Sequence, residues 1–70
     1  MQTLEVEIHD LKDEYGIWRV TRVVKGIRGV ENLHLNPEKK RLKLQVWPSK
    51  FSITDMILAI QEAGFDPRLV

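Results

Sequence analysis

The stretch VENLHLNPEKKRLKLQV, residues 30–46, decides the fold. Leu42, Leu44 and Val46 alternate with Arg41, Lys43 and Gln45, the period-two pattern of a strand with one buried face and one wet face. Val30, Leu33 and Leu35 supply the apolar positions of a strand before it. Asn36, Pro37, Glu38, Lys39 and Lys40 lie between and read as a turn, with proline presetting its φ angle. The two runs make a hairpin, and Pro48 ends it.

Helical spacing appears on both sides of this hairpin. Upstream, Ile17, Val20, Val23, Val24 and Ile27 recur three and four apart. β-Branched residues are mediocre helix formers, so packing must hold this helix. Gly26 falls in its last turn and Gly29 is a C-terminal stop. Downstream, Ile53, Met56, Ile57, Ile60 and Ala63 form the expected buried stripe of a second helix. Ser52 and Asp55 open it as a partial capping box, and Gly64 closes it. Further out, Leu4, Val6 and Ile8 alternate with Glu5, Glu7 and His9 in a half-buried first strand. Residues His9 to Gly16 read as an acidic loop. Phe65 to Val70 add a short last strand that Pro67 confines to a sheet edge.

The order is β-α-β-β-α-β. Two helices on one face of a four-stranded antiparallel sheet bury both stripes, so the expectation is an α+β, ferredoxin-like sandwich. Analogy with that arrangement implies strand order 4-1-3-2. The open face would carry Glu5, Glu7, His9, Lys43 and Gln45. Seventy residues make a single domain, 1–70, and bury only about 60% of the unfolded chain's surface. Hydrophobic residues at 43% and charged residues at 30% are a soluble balance, unlike that of disordered chains. With no cysteine, disulfides, thiolate metal sites and thiol catalysis are excluded. No apolar run approaches the ~20 residues that span a bilayer, and the alternating acidic start is unlike a signal peptide. The chain is therefore expected in the cytoplasm, without membrane insertion.

Three blocks carry a family resemblance. Gly29-Val30 follows helix one, Val46-Trp47-Pro48 closes the third strand, and Ala59-Ile60-Gln61-Glu62-Ala63-Gly64-Phe65 closes helix two. In these blocks and their spacing, residues 3 to 67 resemble the heavy-metal-associated (HMA) domain of copper chaperones. That family carries a Met-x-Cys-x-x-Cys loop before helix one. Counting back from Gly29-Val30 sets its methionine at Leu11 and its cysteines at Asp13 and Gly16. Copper(I) needs soft thiolate ligands, which a carboxylate and a glycine do not replace. The resemblance implies that Leu11 packs as the methionine does and that Phe65 lies beneath the loop.

Two candidate sites follow. His9, Asp10, Asp13 and Glu14 offer one imidazole and three carboxylates, a donor set for Zn²⁺ or Mn²⁺ but not for Cu(I). The competing reading is a solvated loop whose acids favour the helix dipole, so no resident cofactor is expected. Arg19, Arg22, Lys25 and Arg28 recur three apart as a basic stripe on helix one, where the resemblance implies docking to an acidic face of a partner protein. The partner-binding candidates are Trp18, Arg19, Arg22 and Lys25. Trp18 either anchors an interface or covers the end of the core. Trp47 is expected at the sheet edge, and His34 on the surface. The cluster Lys39, Lys40, Arg41 and Lys43 lacks the interleaved aromatics of a nucleic-acid site, and a net charge of +1 is low for one. No nucleophile with a base partner and no glycine-rich phosphate loop is present. Nor is the arginine-bearing loop of acylphosphatases, which share this topology. An enzyme is not expected.

The leading expectation is an HMA-like binding module without its cysteine site, a monomer or weak dimer, acting through protein contacts in a metal-transport or regulatory setting. A carboxylate-loop metal-binding protein and a small-molecule-binding regulatory domain are the alternatives.

Overall fold

The computed structural model describes all residues, Met1–Val70. They form β1 (Gln2–Ile8), α1 (Glu14–Lys25), β2 (Val30–Asn36), β3 (Arg41–Val46), α2 (Ile53–Glu62) and β4 (Pro67–Leu69). The strands make one antiparallel sheet in the order β2-β3-β1-β4, the expected 4-1-3-2 read from the other edge. β1 pairs antiparallel alongside β3 from Gln2↔Val46 to Glu7↔Arg41, so their apolar positions pair on one face. The β2–β3 register slips between Val30 and Asn32, leaving Glu31 as an extra residue on the outer strand.

One face of the sheet is apolar, and both helices cover it. Val6, Ile8, Leu42, Leu44 and Val46 from the strands meet Val20 and Val24 of α1 and Met56 and Ile60 of α2 in a single core cluster. No polar or charged side chain is buried. Pro67 is buried at the edge, where its missing N–H costs no ladder bond.

The helix termini differ from the sequence reading in three ways. α1 starts at Glu14 rather than Ile17, because Asp13 is its N-cap and accepts the Gly16 N–H at 2.9 Å. Its last residue is Lys25, and the cap, Gly26, keeps an ordinary right-handed φ of −81°. After α1, left-handed backbone first appears three residues beyond that cap, at Gly29, φ +90°. In α2 only the serine half of the capping box forms, Ser52 Oγ accepting the Asp55 N–H at 3.2 Å. The other end closes as expected. Gly64 at φ +94° donates to the Gln61 carbonyl and Phe65 donates to that of Ile60, the paired bonds of a Schellman motif. Ile53 is not part of the buried stripe. It is the first residue of α2 and 40% exposed, because a side chain at that position leans back beyond the helix start rather than onto the sheet.

Candidate partner-binding face and acidic loop

The acidic loop spends its carboxylates on the backbone. Asp13 caps α1, and Asp10 Oδ1 accepts the Asp66 N–H at 3.1 Å, tying the loop to the segment before β4. Glu14 lies exposed in the first turn of α1, where a negative charge suits the helix dipole. His9 points into solvent, its side chain 82% exposed and its Nδ1 3.9 Å from Glu7. The four residues named as metal ligands thus hold separate positions, and no three His, Asp or Glu side chains converge on a point that would take an ion. Nor does the site suit copper(I). There is no cysteine, and of the two methionines Met56 lies in the core.

The packing beneath the loop is as the resemblance implied. Leu11 is 2% exposed and belongs to the core, with Phe65 packed against it. Gly16 is buried between them. A Cβ there would meet Asp13 Oδ1, Leu11 Cδ1 and Phe65 Cε1, each at 3.4 Å.

The outer face of α1 has a different character. Trp18 is 56% exposed and stacks on exposed Tyr15, ring centroids 6.3 Å apart and 25° between planes. The Arg22 guanidinium lies 5.3 Å from the Trp18 ring centroid, and that of Arg19 lies between Tyr15 at 5.7 Å and Phe65 at 5.9 Å. These are cation–π distances. Neither arginine, nor Lys25, pairs with a carboxylate. Trp18, Arg19, Arg22 and Val23 form one wall of an open groove of about 410 Å³; Ala59 and Glu62 of α2 form the other. Lys25 borders a neighbouring hollow with Trp18 and Arg22. Arg28 lies beyond the helix and outside this face. Sequence reasoning missed Tyr15, although it precedes Trp18 by one helical turn, because the loop was carried through to Gly16.

Trp47 sits at the sheet edge, its Nε1 donating to Glu31 at 3.1 Å. His34 is exposed on β2.

No protein-family model and no curated protein matches this sequence. Solved structures do match. The architecture is the ferredoxin-like sandwich, and within that class it is the fold of HMA domains. The copper-binding domain from HMA7, a P-type ATPase, superposes at TM-score 0.92 with 17% identity over 100% of this chain and 95% of that one. Oxidized MerP from Ralstonia metallidurans CH34 gives 0.91 with 16% identity over 97% and 94%. The metallochaperone CopZ gives 0.88 with 21% identity over 96% and 100%.

Proposed function

We propose that this chain is an HMA-fold module that has lost the cysteine metal site and works through protein–protein contacts in a metal-transport or regulatory setting. One observation carries the reading: α1 presents two exposed aromatic rings under two arginines without carboxylate partners, beside the loop onto which the HMA resemblance maps the family's cysteine motif. Aromatic and arginine side chains dominate binding hot spots. Cations left unpaired on a free surface favour a partner with an acidic face. The fold shared with a copper-binding domain of a P-type ATPase and with a metallochaperone supports the setting. The carboxylate-loop alternative would require four side chains to leave their present positions, Asp13 from the cap of α1 and Asp10 from its bond to the Asp66 N–H among them.

The test is calorimetric titration of the purified chain with the purified soluble HMA domains of the P-type ATPases encoded in the same genome. Saturable binding that weakens roughly tenfold or more in Arg19→Glu/Arg22→Glu, with an unchanged circular dichroism spectrum, is the expected result. Binding that the double variant leaves intact, or no binding to any of these domains, would sink the reading.

A further inference from the structure

The sheet face turned away from the helices holds a second cluster of cations. The β2–β3 register sets His34 opposite Lys43 and Asn36 opposite Arg41, a two-by-two block of side chains on the open face. Directly opposed positions have Cβ atoms about 5 Å apart. Lys39 closes the hairpin end of the block. Its N–H and that of Glu38 both donate to Asn36 Oδ1, at 3.3 and 3.1 Å. This turn folds Lys39 back over the sheet and leaves the Asn36 amide NH₂ as a free donor. Together with Glu5 of β1 these residues surround a hollow of about 160 Å³ with no apolar residue in its wall.

The hollow contains three cations and one carboxylate, and that carboxylate is engaged, Arg41 lying 3.4 Å from Glu5 Oε2. Every other polar side-chain group around it can donate: two ammonium groups, the remaining guanidinium N–H groups, an amide and an imidazole. Across β1–β3, Glu5 stands opposite Lys43 and Glu7 opposite Arg41, yet of the three cations only Arg41 is ion-paired, so Lys39 and Lys43 remain without a salt bridge. We infer that this hollow is a binding site for a compact phosphate-class dianion, free or as the phosphate group of a small soluble molecule. A carboxylate presents only two oxygens. Donors converging from two strands and a turn suit a tetrahedral oxyanion, gripped in part through arginine. The site is on the face opposite α1, so it stands independently of the docking face.

The test is a ¹H–¹⁵N NMR titration of the whole chain with inorganic phosphate, pyrophosphate and a phosphate monoester, each against sodium chloride of matched ionic strength. The expected result is saturable shifts at His34, Lys39, Lys43 and the Asn36 side-chain amide, absent with chloride. Lys43→Gln, an exposed position outside the core, should weaken binding by up to about fivefold, the scale of one exposed charge contact. A response to phosphate but not the monoester assigns the free ion, and the reverse assigns the ester. Shifts reproduced by chloride, shifts centred on Arg19 and Arg22, or affinity unchanged in Lys43→Gln would each overturn the site.

Discussion

Gly29 and Gly64 both sit at positive φ, +90° and +94°, but their surroundings differ. A Cβ at Gly29 would come within 2.9 Å of the Lys50 and Phe51 backbone and of Phe51 Cβ, while one at Gly64 meets nothing within 4 Å. Gly64→Ala should cost about 1 kcal/mol, the penalty for a left-handed alanine alone. Gly29→Ala adds a backbone collision and should cost about 3 kcal/mol. Urea unfolding of both variants checks the ordering, and equal losses would show that the chain relaxes around residue 29. Both glycines were legible as stops after apolar stripes, since only local conformation was needed. The close approach of residues 50 and 51 was not legible, because it joins segments distant in sequence. Asp13 was misread for a related reason: an acid followed three residues later by a glycine looks like loop, and only the bond to the Gly16 N–H reveals a cap.

At the scale of the element, α1 explains both what the sequence showed and what it hid. Its apolar spacing located the helix, yet periodicity could not decide whether Trp18 turned inward, because it falls beside the buried arc. Packing decides it: Val20 and Val24 fill the space over the sheet, and Trp18 is left outside on Tyr15. The start of α1 has the packing that the HMA resemblance implied, with Leu11 buried and Gly16 packed between it and Phe65. Asp13→Cys/Gly16→Cys should therefore take up one Cu(I) in competition with a chromogenic chelator, where the parent chain takes up none. Stability should fall by about 1 kcal/mol through loss of the cap. The 3.4 Å contacts around a residue-16 Cβ demand only a small shift. If the double variant competes no better than the parent, the loop does not present residues 13 and 16 in a copper-binding geometry.

For the molecule as a whole, the β-α-β-β-α-β order, the open sheet face and most of the core were legible, because two periodicities and short turns leave few ways to bury both stripes. The convergence of His34, Lys39 and Lys43 was not, since it depends on register and on an Asn36 turn that composition does not reveal. With no buried polar side chain, stability rests on apolar packing in one cluster. Ile60→Ala, inside that cluster, should cost about 2–5 kcal/mol, while Leu58→Gln on the exposed side of α2 should change stability by less than about 0.5 kcal/mol. Thermal melts monitored by circular dichroism separate the two, and comparable losses would mean that α2 packs by a different face. The extra residue at Glu31 has a consequence for the sheet's free margin. An outer strand with evenly spaced N–H and C=O groups is a template onto which strands of other molecules can zip. Here the spacing is broken near one end, where a bulge adds twist, and Trp47 ties the displaced residue back. That margin is consequently a poor seed for fibrillar stacking, which matters in a chain whose net charge of +1 supplies little mutual repulsion.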